Sequence, residues 1–188
     1  MKIMMRLVSD AVFGNGNSVP GGEDIAVLHD SHGFPKYKGS TFKGIFREEL
    51  INLLLWKGCS EEEAIATAKN LLGASGDDEA GEGKLVFSDF VIPKAVRDRV
   101  LEEIGDRPDE ILASFTSLRT FTRLTEDGMV AKGSLRIARC VNQGIWLESE
   151  LSCKEEQKEL VLEVLSLMKW IGTMRNRGFG KVQIMEEA

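Results

Sequence analysis

Cysteine, histidine and long apolar runs are all scarce in this chain of 188 residues. The three cysteines, Cys59, Cys140 and Cys153, are odd in number and share no short spacing, which argues against a disulfide framework and a zinc site. No apolar run approaches the length that spans a bilayer, and the apolar start at Met1–Phe13 is interrupted by charge and lacks a cleavage site. The sequence therefore predicts a cytoplasmic protein without membrane contact.

Several enzyme classes lack their characteristic residues here. The chain has two histidines, His29 and His32, and no serine-centred nucleophile elbow, so a hydrolase triad is disfavoured. It has no Walker A loop, and the glycine-rich stretch 14–22 departs from the dinucleotide fingerprint because Val19 occupies the third glycine position. A nucleotide cofactor is therefore disfavoured as well.

Net positive charge, which a nucleic-acid-binding protein usually carries, is also missing, because the net charge is -6. The acidic residues concentrate in segments 61–63, 77–82, 102–110 and 186–187, whereas the basic residues form clusters elsewhere. A folded chain can gather these clusters on one face that attracts phosphate, and ordinary solvated charge is the alternative for each. The clusters are Lys36, Lys38, Lys43 and Arg47; Arg119, Arg123, Lys132, Arg136 and Arg139; and Arg175, Arg177 and Lys181.

The apolar pattern predicts a mixed fold. The apolar share of 43% suits one folded unit over residues 1–188. Strands are expected at 1–13, 85–92, 141–151 and the C-terminus, helices at 42–56, 60–72, 95–104 and 154–174, and a polar hairpin at 118–137. The helix at 60–72 begins with a capping box of Ser60 and Glu63. The helix at 42–56 carries an apolar stripe of Phe42, Ile45, Phe46, Leu50, Leu53 and Leu54. This order predicts an α+β domain with a ferredoxin-like or RRM-like core that carries inserted hairpins and helices.

Two glycine-containing segments could bind phosphate. In segment 39–47, the start of a helix offers free amides beside Lys43 and Arg47, although an ordinary capped helix explains the same residues. Segment 177–182, Arg-Gly-Phe-Gly-Lys-Val, partly matches the RNA-recognition signature, and a helix end followed by a turn is the alternative. Asp24, which ends the glycine-rich stretch 14–22, could hold a divalent metal, and a turn residue is its plainer interpretation.

Taken in order, these motifs resemble those of the RAMP superfamily, and in particular the backbone subunits of type III CRISPR complexes. The resemblance rests on Gly21-Gly22-Glu23-Asp24, on a short hairpin, and on the helix entrance Pro35-Lys36-Tyr37-Lys38-Gly39-Ser40-Thr41-Phe42-Lys43-Gly44. Segments 84–90, 123–141 and 172–182 resemble later parts of the family pattern, so that the likeness covers the whole chain.

The resemblance implies an RRM-like subunit that stacks with copies of itself and other CRISPR effector subunits along guide RNA. It implies a thumb-like hairpin at about 118–133 and, in cleaving subunits, a loop aspartate, here Asp24, that supports metal-dependent cutting of the paired target RNA, with magnesium as the expected ion. The RNA contacts expected from the basic clusters and the helix entrance are Gly39, Ser40, Thr41, Lys43, Arg47, Arg123, Lys132, Arg136, Arg175, Arg177 and Lys181.

Two other functions stay open at this point. One is a guide-processing endonuclease of the same superfamily, in which His29 or His32 is a metal-independent general base. The other is a purely structural subunit in which Asp24 is inert.

Overall fold

The architecture combines two antiparallel sheets with five helices, as seen in a computed structural model that describes residues 1–14, 18, 22–73, 84–123 and 125–187. Most of the glycine-rich stretch 14–22 and of the acidic loop 77–82 lies outside these residues. In chain order the elements are β1 (Lys2–Leu7), α1 (Gly39–Trp56), α2 (Glu61–Leu72), β2 (Val86–Phe87), α3 (Lys94–Ile104), α4 (Pro108–Phe115), β3 (Thr116–Phe121), β4 (Arg136–Val141), β5 (Trp146–Ser152), α5 (Glu155–Leu167) and β6 (Val182–Glu186).

The main sheet has the strand order β2-β5-β1-β6, with every neighbouring pair antiparallel. Its strands belong to the series β1-α1-β2-β5-α5-β6, two strand–helix–strand units that interleave in one sheet. This is the ferredoxin-like arrangement. The predicted fold class is therefore confirmed, with α2 inserted before β2 and with α3, α4, β3 and β4 inserted between β2 and β5.

One face of the main sheet packs against α1 and α5. Ile3, Met5 and Leu7 alternate along β1 and are fully buried, as the two-residue period of a strand requires. On α1, the predicted apolar stripe is buried at Phe42, Phe46, Leu50 and Leu53. Because these side chains recur at helical spacing, they fill one continuous core with the strand residues.

The opposite face of the main sheet, called the open face below, carries charged side chains. Lys2 lies between two glutamates on the neighbouring strands, 2.9 Å from Glu148 and 3.2 Å from Glu187. The guanidinium of Arg6 lies 6.0 Å from the centre of the Trp146 ring. Lys2 is therefore matched by acids on both sides, and Arg6 lies beside an aromatic ring.

Strands β3 and β4 form a separate hairpin. The polar hairpin predicted at 118–137 falls within its range, 116–141. Ala11 bridges Val141 on β4, and the segment around Ile25 runs parallel to β4 at Ala138. Residues 22–25, called the Asp24 segment below, thus lie beside β4, with a bend at Asp24 and a single bridge at Ile25.

Several sequence-based elements differ from the structure. The first strand ends at Leu7 instead of residue 13, and the strand expected at 141–151 begins at Trp146, because Val141 belongs to β4. The last helix ends at Leu167 instead of residue 174, because the chain after it pairs with β6 through Trp170 and Lys181, although Met168 and Ile171 remain buried. The strand expected at 85–92 is regular only at Val86–Phe87. Helix α4 was not predicted; Pro108 occupies its first turn, where a missing amide proton does no harm.

Among the described residues, no helix is both long and apolar enough to cross a membrane.

Candidate nucleic-acid interface

An open cleft of about 1020 Å³ lies between the β3–β4 hairpin, the Asp24 segment and the turn at Arg175–Arg177. Its lining contains four positive side chains and one carboxylate, which come from three separate stretches of the chain. The lining residues are Asp24, Ile25, Phe121, Thr122, Arg123, Lys132, Gly133, Ser134, Arg136, Met174, Asn176 and Arg177. The structure thus brings five of the predicted site residues into one place.

An aromatic contact joins the hairpin to the 175–177 turn. The Phe121 and Phe179 rings meet edge to face with their centres 5.6 Å apart, and the guanidinium of Arg177 lies 5.7 Å from the centre of the Phe121 ring. Met174 enters the turn in a left-handed conformation, with φ 59°, and packs in the same apolar cluster. This cluster holds the two walls of the cleft together.

The positive side chains of the cleft have few partners in the protein. Within the described residues, Arg123, Lys132 and Arg177 form no ion pair, and all three are exposed. Arg136 donates to the carbonyl oxygens of Gly133 and Leu135, 3.4 and 3.0 Å away, and keeps its full charge. The cleft therefore has a positive potential that can bind a phosphate backbone.

Asp24 lies at the edge of β4. Its amide donates to the Ile137 carbonyl at 2.8 Å, and its Oδ2 accepts the Ile137 amide proton at 2.8 Å. Asp24 is exposed and lines the cleft, so that one carboxylate oxygen is held by the backbone while the group stays accessible. The turn-residue interpretation and the site interpretation both fit this local geometry, and the surrounding cations distinguish Asp24 from an ordinary turn residue.

Three other members of the basic clusters are paired with acids. Arg139 lies 2.7 Å from Glu23, Arg119 lies 2.7 Å from Asp10, and Lys36 lies 3.3 Å from Asp89. The hydrogen bond from Arg139 lowers the pKa of Glu23, although burial acts in the opposite direction. Cys140 follows Arg139 on β4, and its thiol is buried. Burial raises the pKa of Cys140 to about 11, so this thiol is inert.

A smaller cavity of about 290 Å³ lies on the other side of the 175–177 turn. Thr41, at the start of α1, and Arg175 both line it, together with Lys36 and Lys38. At its buried wall, the Tyr37 hydroxyl has no hydrogen-bond partner within the described residues. Burial raises the pKa of Tyr37, and the nearby Gly172 amide and Arg175 charge partly offset that effect.

The remaining predicted RNA contacts lie outside the linings of both cavities. Gly39 is buried, and a Cβ at this position would lie 2.2 Å from the Phe87 carbonyl oxygen, so close packing explains this glycine. Arg47 donates to the Gly73 carbonyl at 3.0 Å, at the end of α2. Ser40, Lys43 and Lys181 are at least partly exposed and line neither cavity. A role for these residues in RNA binding stays a prediction.

The histidines of the alternative endonuclease also lie outside the linings of both cavities. His32 contacts Asp106 at 2.8 Å, and Nδ1 of His29 lies 2.8 Å from the backbone carbonyl of Asp30. Among the described residues, no three His, Cys, Asp or Glu side chains lie close enough to share a metal ion.

Sequence reasoning missed the apolar and amide parts of the cleft. Phe121 and Met174 were not identified, because a lone aromatic or methionine is most often a core residue. Asn176 stands between two arginines that were identified, and this position was the only available signal for it.

Comparison with known proteins gives three results. The family model described as the RAMP superfamily matches residues 5–183. No curated protein sequence matches the chain. One solved structure with a similar fold is a type III-B Cmr-beta complex bound to cognate target RNA: 13% identity, TM-score 0.69, covering 97% of this chain and 95% of that chain. Another is a type III-B Cmr-beta in the apo state: 14% identity, TM-score 0.66, covering 98% and 95%.

Proposed function

Because the chain belongs to the RAMP superfamily, we propose that it is a backbone subunit of a type III CRISPR effector complex that binds guide RNA and cleaves paired target RNA. The observation that carries this proposal is the cleft, where Asp24 lies among Arg123, Lys132, Arg136 and Arg177. Four cations around one carboxylate suit a polyanionic ligand that must be held while one of its phosphates reacts.

The path of the RNA backbone follows the two cavities. Arg177 lines the cleft and Arg175 lines the smaller cavity, so the 175–177 turn forms the wall that separates them. A strand that crosses this turn meets Thr41, Lys36 and Lys38 on one side and the hairpin cations on the other. These groups contact phosphates and present no ordered set of base readers, so binding is expected to be indifferent to sequence.

Asp24 suits a divalent metal of the magnesium type. Magnesium is usually held by one or two carboxylates, with water and substrate phosphates completing its ligands. The Oδ2 atom of Asp24 is engaged by the Ile137 amide, and its Oδ1 atom is left for an ion or for the attacking 2′-hydroxyl of the RNA. When bound, such an ion would supply Lewis-acid stabilisation of the phosphate. The neighbouring cations neutralise the charge that develops on the phosphate oxygens.

The non-catalytic structural subunit is the second candidate. One observation favours it, because Asp24 is the only carboxylate among the described residues that line the cleft. Both candidates require RNA in the cleft, and they differ only in whether Asp24 takes part in a reaction.

The test compares Asp24→Asn with the parent protein in the complex assembled from its own neighbouring subunits and guide RNA. We expect cleavage of paired target RNA to fall by about 100-fold or more, which is the usual contribution of a positioned acid–base or metal-binding group. The guide RNA that co-purifies should be unchanged, and a chelator should stop cleavage by the parent. Asp98→Asn, an exposed carboxylate on α3, is the matched control.

Three outcomes contradict the cleaving subunit. Undiminished cleavage by Asp24→Asn removes its catalytic role, and no cleavage by the parent under any metal favours the structural subunit. Chelator-resistant cleavage that disappears with His29→Ala or His32→Ala identifies the endonuclease instead.

A further inference from the structure

Within the described residues, the Asp24 segment is attached to the hairpin through Glu23, Asp24 and Ile25. Gly21 and Gly22 precede Glu23, and glycine has no side chain with which to anchor a strand and loses more conformational freedom on ordering than other residues. The backbone bonds of Asp24 and Ile25 to β4 begin only one residue later than Glu23. The orientation of Asp24 therefore depends on what holds Glu23.

Glu23 is held by Arg139 through two contacts. The Nε of Arg139 lies 2.7 Å from Oε1 of Glu23, and Nη2 lies 3.4 Å from Oε2. The two side chains are 11% and 20% exposed, so solvent screens this pair less than it screens a surface pair. Contacts of this forked kind fix geometry as well as charge.

Arg139 is in turn fixed between the two strands of the hairpin. It belongs to β4, and its Nη1 donates to the Thr116 hydroxyl on β3 at 3.2 Å. The Thr116 hydroxyl donates to the Leu112 carbonyl of α4 at 2.6 Å. The guanidinium thus connects the Asp24 segment to β3, β4 and, through Thr116, to α4.

We propose that the Glu23–Arg139 ion pair is the positioning device that fixes the Asp24 carboxylate against the Ile137 amide, facing the cleft. Asp24 follows Glu23 directly and lies at a bend whose amide also bonds to β4, so holding Glu23 limits the directions that the Asp24 side chain can take. Asp24 lines the cleft and Glu23 does not. Its relevance to cleavage rests on the proposed function, whereas the geometry is independent of it.

The first measurement is the hydrogen-exchange rate of the Ile137 amide in the isolated protein, followed by NMR. The Asp24 carboxylate protects this amide, so Arg139→Met should raise its exchange rate by about tenfold, the effect of losing one charge-assisted hydrogen bond. Arg139→Lys keeps the charge without the forked geometry and should give an intermediate rate. Lys158→Met, which removes the 2.8 Å pair with Glu186, is the control and should leave the Ile137 rate unchanged.

The second measurement is target cleavage by the assembled complex under saturating target RNA. Arg139→Met should lower the turnover rate by about tenfold while RNA affinity changes by less than about twofold, because Arg139 acts through Asp24 and lies outside the cleft lining. The order parent, Arg139→Lys, Arg139→Met should be the same in both measurements. Circular dichroism and melting curves check that each variant is folded. If Arg139→Met does not fold, Glu23→Gln breaks the same ion pair and replaces it in both measurements.

An unchanged Ile137 exchange rate in Arg139→Met and Glu23→Gln overturns the positioning role, whatever happens to cleavage. Faster exchange with undiminished turnover also overturns it, provided that Asp24→Asn abolishes cleavage. Faster exchange together with full cleavage by Asp24→Asn supports the positioning geometry and overturns the proposed function instead, so that the two failures are distinguishable.

Discussion

On the open face of the main sheet, Lys2 lies within 3.2 Å of two glutamates, whereas Arg123 and Lys132 at the cleft have no acidic partner within the described residues. Both regions carry several charged side chains, and both are built on antiparallel strands. On the open face, Lys2 is neutralised within the protein, while the cleft leaves its charges available to a ligand. A net charge of -6 therefore says little about RNA binding, because pairing decides which cations act on a partner.

The largest expected effect is on RNA affinity, and it is tested by removing two positive charges from the cleft and two from the open face. Arg123→Ala with Arg177→Ala should weaken binding of single-stranded RNA by about tenfold or more and lower the salt slope by roughly 0.7 for each lost phosphate contact. Lys2→Ala with Arg6→Ala removes two positive charges from the open face and should leave both quantities unchanged. Fluorescence anisotropy on two unrelated RNAs across a salt series measures this, and equal losses in the two double variants would abolish the contrast.

The aromatic contact of the cleft gives the next effect. Phe121→Ala removes the ring between Phe179 and Arg177, so we expect a loss of about 2 kcal/mol in the free energy of unfolding, less than for a fully buried phenylalanine, and weaker RNA binding. Trp146→Ala on the open face is the matched aromatic control and should affect stability alone. Denaturant unfolding with the same anisotropy assay measures both, and intact RNA affinity in a destabilised Phe121→Ala would show that the ring only supports the fold.

Arg47 tests the boundary of the RNA-binding surface. Its hydrogen bond to the Gly73 carbonyl predicts that Arg47→Ala costs about 1 kcal/mol of stability. Lys43→Ala, on the same helix, serves as the comparison and should leave stability unchanged, and the salt slope of each variant tests its predicted RNA contact. A slope lowered by roughly 0.7 in either variant would extend the surface along α1.

The smallest expected effects are on the pH dependence of stability. The Glu23–Arg139 pair should matter at acid pH, and the pairs of Lys2 should matter at alkaline pH. Arg139 lowers the folded-state pKa of Glu23, so this pair stabilises above the unfolded pKa and is lost as pH falls through the folded pKa. Glu148 and then Glu187 raise the pKa of Lys2, so that pair stabilises below the unfolded pKa and is lost as pH rises through the folded pKa.

Melting temperatures across pH distinguish the two pairs. Glu23→Gln should reduce the decline on the acid side alone, and Lys2→Met should reduce the decline on the alkaline side alone. An acid-side change in Lys2→Met would assign the acid response to other groups.

The sequence predicted local structure well where a single pattern decides it. The apolar stripe of α1 and the Ser60–Glu63 capping box of α2 were both confirmed, because each depends on residues within one or two turns. The predicted end of α5 was wrong. Met168 and Ile171 continue the helical spacing of buried residues, but the chain there is extended, because Trp170 pairs with Lys181.

Long-range arrangement was less accessible. Three basic clusters were identified, but only contacts between distant segments reveal that Arg139 and Arg119 are neutralised by Glu23 and Asp10. Family resemblance supplied the interest in Asp24, and the residue pattern alone favoured an ordinary turn residue.

The place of β1 in the middle of the main sheet has a consequence for how the chain folds. Its neighbours β5 and β6 begin at residues 146 and 182, and the Asp24–Ile137 contact spans 113 residues. Contacts this distant along the chain form slowly, because a long loop must close before any contact stabilises it. During synthesis, the first strand must therefore wait for the last one, and any chain released before residue 137 has neither the main sheet nor the cleft. Only chains synthesised through Arg177 carry every described residue that lines this cleft.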